Sequence, residues 1–149
     1  MKKIFLVAFL GIILSGCGEK RVSDEMFVGE WSCKVTYYAS DWSGNGFEEF
    51  KKKYNDEYVL MSFKYENNSL YSKNLKTGHW DKESLVETYD NKTKQEETDY
   101  FFSKKTRSLQ KESNDKFILT YVRETITKDI EYSSSNNKIK EEANCTRMK

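Results

Sequence analysis

From Phe27 to Tyr38 the sequence alternates without a break. Phe27, Gly29, Trp31, Cys33, Val35 and Tyr37 share one side, and Val28, Glu30, Ser32, Lys34, Thr36 and Tyr38 share the other. A period of two over that length marks a half-buried β-strand. The odd-numbered side holds the large apolar groups and a cysteine, so it faces inward. Such a strand cannot bury its face alone, and the fold must supply a sheet around it.

The rest of the chain offers partners. Strand patterns occur over 59–65, 70–75, 85–89, 98–103, 106–110, 117–123, 125–132 and 143–147. Short polar turns separate them, among them 67–68, 76–78, 90–92, 111–115 and 133–137. Connections this short leave no room for crossover helices, so the strands run antiparallel. The expectation is an all-β meander of about eight to ten strands, packed as two sheets or closed into a barrel.

One segment departs from this pattern. Residues 40–46 set two glycines among turn-forming residues and end the first strand. Phe47, Phe50 and Tyr54 then recur at helical spacing, with Glu48 and Glu49 early and Lys51, Lys52 and Lys53 late. That charge order suits a helix dipole. The segment reads as a short helix after strand 1, or as a charged loop carrying three aromatics.

The chain begins with Lys2 and Lys3 and an apolar run over 4–14, the pattern of a secretion leader. The run is shorter than the roughly 20 residues that a membrane-spanning helix needs. Leu14-Ser15-Gly16-Cys17 resembles the lipobox of bacterial lipoproteins. The resemblance implies that the Cys17 thiol receives a diacylglycerol, that the leader is cut before it, and that the chain is held on a membrane by its lipid. It divides the sequence into a signal peptide over 1–16, a lipidated tether over 17–26 and a domain over 27–149. Gly18 rather than Asp after the cysteine favours the outer membrane if the source is Gram-negative.

Cleavage would leave 133 of the 149 residues, the size of one domain. With Lys2 and Lys3 gone, 23 of the 25 basic residues face 24 acidic ones, a balance that excludes nucleic acid as a partner. Aromatics at 15% argue for a packed core over a disordered chain.

Once Cys17 is lipidated, Cys33 and Cys145 remain, and an exported chain lies in an oxidising compartment. They can form one disulfide, which requires the first and last strands to lie close together. In a meander those strands are the extremes, so joining them closes the sheet.

Gly29-Glu30-Trp31 on the first strand resembles the Gly-x-Trp of lipocalins, and Gly78-His79-Trp80 repeats it. The set of Gly-x-Trp-x-Cys first, Gly-x-Trp in the middle and Cys-x-Arg last is similar to that of small lipocalin-like bacterial lipoproteins. The resemblance implies an antiparallel meander closed into a lipocalin-like β-barrel, with Gly29, Trp31 and Arg147 forming its closed end and the Arg147 cation packed across the Trp31 ring. Thr98-Asp99-Tyr100 carries the letters of the second lipocalin motif without its flanks.

Reactive chemistry is sparse. His79 is the sole histidine and sits in a turn, and no glycine-rich phosphate loop is present. No catalytic residue, metal ligand or cofactor is expected. Tyr38, Trp42, Phe47 and Phe50 cluster on and after the first turn, and residues of this kind dominate binding hot spots. The expected function is a non-enzymatic, membrane-anchored binding module for a protein partner or a small apolar ligand, with those four rings as contact surface or as a plug. The alternative is an inhibitor, immunity or exclusion lipoprotein that blocks an incoming toxin, lysozyme or conjugation apparatus.

Overall fold

The alternation of 27–38 becomes β1 (Gly29–Ser40), and the other elements are arranged around it. The structure is a computed structural model that describes residues 22–149, so the leader and Cys17 lie outside the described residues. After β1 come β2 (Lys51–Lys52), β3 (Glu57–Glu66), β4 (Ser69–Lys73) and β5 (Trp80–Glu83). A four-residue helix, α1 (Leu85–Thr88), leads to β6 (Asp90–Glu97), β7 (Phe101–Ser113), β8 (Lys116–Thr127) and β9 (Asn137–Arg147). Two 3-10 helices, Asp24–Phe27 and Ile130–Ser135, precede β1 and β9.

All strands pair antiparallel in one curled sheet, ordered β5-β4-β3-β1-β9-β8-β7-β6, with β2 added to β1. β3, β4 and β5 pair in succession, as do β6, β7, β8 and β9; β1 pairs with β3 on one side and with β9, from Trp31↔Arg147 to Ser40↔Lys138, on the other. Cys33 stands opposite Cys145 in that ladder, and the two are joined as a disulfide. The first and last strands therefore meet as the cysteines required. The ring is open elsewhere: β5 and β6 are the two ends of the hydrogen-bonded order, and α1 spans the gap. The result is a curled half-barrel.

Four expectations need correction. Residues 47–54 form no helix; a Trp42↔Phe47 bridge and β2 take their place, because Phe47 and Phe50 are spent covering β1 and β9. Residues 85–89 are α1 instead of a strand, since the Ser84 side chain caps the Glu87 N–H at 3.4 Å. The pairs 98–103 with 106–110, and 117–123 with 125–132, merge into the long strands β7 and β8, the second of which ends at Thr127. β6 lies where a turn was expected; its run DNKTKQEE has no apolar face and forms a charged sheet edge that deters pairing with other chains.

The concave face changes character in layers. One cross-strand row holds Phe117, Cys145 and Cys33, and the next holds Leu109, Leu119, Ala143 and Val35. The row beyond these is Arg107, Tyr121, Glu141 and Tyr37. The buried cluster, which includes Phe27, Trp31, Phe63, Leu70 and Leu85, is thus confined to one end, and the other end of the concave face is polar.

Gly29, Trp31 and Arg147 meet at that apolar end. Trp31 is fully buried, with its Nε1 donating to the Phe27 carbonyl at 2.6 Å and its ring edge-on to Phe117 at 4.7 Å. The Arg147 guanidinium lies 4.3 Å from the centre of the Trp31 ring. It donates to the carbonyls of Val28, Met26 (2.8 Å) and Asn114 (3.1 Å) and pairs with Asp115 at 2.9 Å. Gly29 has φ +123°, and a Cβ there would stand 2.7 Å from the Arg147 guanidinium. The fold begins earlier than residue 27: Val22 and Met26 pack on the core, a hydrogen bond to Glu25 raises the Tyr65 hydroxyl, and the Glu25 carboxyl is lowered by its own backbone N–H, then by Ser23 and Tyr65.

Two outcomes follow. Reducing the disulfide, or replacing both cysteines by serine, should destabilise the domain by about 2 to 5 kcal/mol, because the bond closes a loop spanning 112 residues. A urea midpoint unchanged on reduction would remove that assignment. Gly29→Ala should cost about 2 kcal/mol or more in the same assay, from the left-handed backbone and the collision with Arg147 together.

Candidate functional site

Three features of the surface could do chemistry or bind: the loop after β1, the cleft inside the curl, and the far tips of β7 and β8.

The loop brings Tyr38, Trp42, Phe47 and Phe50 together, as the sequence suggested, but it turns them on the protein itself. Gly46 O accepts from both the N–H and the hydroxyl of Ser43 at 2.9 Å, and Glu48 N–H donates to Asp41 O at 3.0 Å. The hairpin so formed stacks Trp42 edge-on to Phe47 at 5.0 Å. Tyr38, Lys138 and Lys140 share the convex face of β1 and β9. Lys140 Nζ lies 4.1 Å from the centre of Tyr38 and 5.7 Å from that of Phe50, and Lys138 Nζ lies 5.6 Å from that of Phe47. All four rings are half-buried. They cover the two lysines and the outer side of β1.

The far end of the loop is tied down by Asp56. Its carboxylate receives Lys52 at 2.7 Å, Lys34 at 3.0 Å and the Thr36 hydroxyl at 2.8 Å. The hydrogen bonds from Lys52, Lys34 and Thr36 hold this carboxyl well below the ordinary value of 3.8. Thr36 and Ser40 are buried beneath the loop although they lie on the convex face.

Inside the curl, a cavity of about 380 Å³ has Phe63, Leu85 and Leu119 as an apolar floor and Glu83, Tyr89 and Arg107 as polar walls. The Arg107 guanidinium stacks on Tyr121 at 5.3 Å and has no carboxylate within salt-bridge distance among the described residues. Burial pushes the Tyr89 hydroxyl up; Arg107 opposes that shift, and Glu141 and Glu83 reinforce it. Burial likewise raises Tyr37, with Glu57 and Glu141 adding to it.

The third feature was not legible in the sequence. At the tips of β7 and β8 a groove of about 810 Å³ is lined by Tyr100, Phe101, Ile130 and Tyr132, among others. Tyr100 is 80% exposed, Ile130 89% and Tyr132 61%. These side chains stand on well-fixed turns. Thr98 Oγ1 accepts from the N–H groups of Tyr100 (3.3 Å) and Phe101 (3.2 Å), Lys128 N–H donates to Tyr100 O at 3.0 Å, and Asp129 caps the Glu131 N–H at 3.0 Å. Buried Asn136 accepts from Thr127 N–H at 2.6 Å and anchors the returning chain.

No group of His, Cys, Asp or Glu suited to a metal occurs among the described residues. His79 is exposed in the turn before β5. No helix among the described residues is long and apolar enough to cross a membrane. Comparison with protein-family models, curated proteins and solved structures finds no match to the chain.

The Asp56 clamp has a pH signature. The native carboxyl stays ionised where the unfolded chain takes up a proton, so its contribution is complete above about pH 4 and is lost as pH falls below 3.8 toward the folded value. Asp56→Asn should lower the urea midpoint at neutral pH and flatten the loss of stability between about pH 4 and pH 2. Parallel curves for the two proteins over that range would dismiss the clamp.

Proposed function

We propose that the protein is a bacterial envelope lipoprotein, acylated on Cys17, whose mature domain is a lipocalin-like barrel left open between β5 and β6. In this reading it is a non-enzymatic binding module that holds its far end out to a protein. The carrying observation is the placement of exposed apolar side chains. Met26 packs at the Trp31–Arg147 end and Val22 beside Val86 and Leu109, whereas Tyr100, Ile130 and Tyr132 stand at the far tips of β7 and β8. Leu109 lies eight residues along β7 from Phe101, about 26 Å at 3.3 Å per residue. At most about 18 Å of extended chain links Cys17 to Val22. The tether thus enters nearer the apolar end than the groove, and a clustered apolar groove, unlike scattered exposed side chains, marks a contact surface. Outer-membrane residence follows if the source is Gram-negative. Blocking an incoming toxin, lysozyme or conjugation apparatus is one form such a module can take.

A second reading has its own support. The 380 Å³ cavity, with an apolar floor and Arg107 at its wall, has the size and lining of a small amphipathic ligand site. A co-purified small molecule favours this reading, and a stoichiometric protein complex favours the first.

Cys17→Ser should move the protein from the membrane to the soluble fraction and abolish incorporation of labelled palmitate. Retention of label by the variant would sink the anchor. Crosslinking on native membranes should lose its protein adducts in Ile130→Ser with Tyr132→Ser and keep them in Trp42→Ala; the reverse pattern would return the contact to the loop after β1.

A further inference from the structure

The rim of the distal groove specifies the charge of what it holds. Asp99 and Asp129 line the groove, and Glu131 follows Asp129 in the same exposed turn. None of the three has an ion-pair partner among the described residues. The one cation in the lining, Lys128, is already bound to Glu97 at 2.8 Å. Two carboxylates without an ion-pair partner thus line an apolar groove and a third stands in the turn beside it, in a mature chain whose overall charge is close to neutral.

We infer that the groove docks a basic segment of a partner protein, which seats an aromatic or aliphatic side chain among Tyr100, Phe101, Ile130 and Tyr132 while flanking lysines or arginines meet Asp99, Asp129 and Glu131. This rests on the reading of the protein as a tethered binding module. Apolar anchors inside a polar rim supply most of the affinity at such contacts, and rim charges set partner choice and encounter rate. The fixed turns at Thr98 and Asp129 present the side chains in one arrangement, which reduces the ordering cost of binding.

The same charges argue against other occupants. A second copy docked groove to groove by a two-fold axis would oppose the acidic rims. An anionic bilayer would be repelled in the same way.

The test uses the full chain in neutral detergent and two short peptides with an identical Trp-Leu centre, one flanked by lysines and the other by glutamates. The lysine peptide should bind, with amide shifts at Tyr100, Ile130 and Tyr132, and should weaken several-fold between about 50 and 300 mM salt. Ile130→Ser with Tyr132→Ser should weaken it about tenfold. Asp99→Asn with Glu131→Gln should remove most of the salt dependence, and Trp42→Ala should bind as the native chain does. All these side chains are exposed or half-buried, and an unchanged thermal midpoint confirms that each variant folds. Absence of lysine-peptide binding, equal binding of both peptides, or unchanged binding by the Ile130 and Tyr132 variant would overturn the inference. So would a concentration-dependent dimer, or attachment of the unlipidated Cys17→Ser chain to phosphatidylglycerol vesicles, if either is lost in Ile130→Ser. The peptide result does not depend on the anchor, so failure of acylation at Cys17 and failure of the groove are distinguishable.

Discussion

The ladder between β1 and β9 fixes everything else in the molecule. It joins the first strand of the sheet to the last over their whole length, and the disulfide at Cys33 and Cys145 makes that adjacency covalent. With this pair in place, every strand of the meander has its path set by short connections, and one break remains, between β5 and β6. The break falls where a four-residue helix replaces a strand. Leu85 on that helix points into the core and fills space that a closed sheet would have taken.

The position of the core follows from where the chain enters. Phe27 and Trp31 are the largest buried groups, and both come from the first ten described residues. Arg147 seals them by covering the indole while donating to the carbonyls of Met26, Val28 and Asn114 and to the Asp115 carboxylate. Removing the Arg147 contacts would leave three carbonyls without their charged donor at the edge of the core, which is costly compared with the same loss in open solvent. Away from this seal the concave rows become polar, and the domain can keep that end open without exposing its core.

What could be read beforehand was whatever the apolar pattern controls. β1 showed as alternation, β3 and β4 as shorter versions of it, and the trio Gly29, Trp31 and Arg147 only through the resemblance to lipocalin-like chains. β6 and the middles of β7 and β8 were obscured because charged residues such as Lys94, Lys105 and Arg123 sit on the open part of the concave face, where burial does not filter sequence. The aromatic loop was found for its composition, and only the register placing Lys138 beside Ser40 and Lys140 beside Tyr38 shows what its rings lie against. Tyr100, Ile130 and Tyr132 were in plain view, but they were absorbed into strand patterns. Asp129, a capping residue between Lys128 and Ile130, was the one local sign that the strand ends there.

The pairing of β1 with β9 also orders the events by which the fold is made. Cys33 and Cys145 are 112 residues apart in sequence, so β1 keeps one edge open and its cysteine without this partner until β9 has been made. Contacts between such distant parts of the chain form slowly. β3, β4 and β5 can assemble on the free side of β1 early, and β6, β7 and β8 can form a separate antiparallel unit, but the two halves can be stitched together only when Cys145 arrives. The domain is therefore assembled from two half-sheets at a single late step, and until that step the long strand that will sit at its centre is an edge.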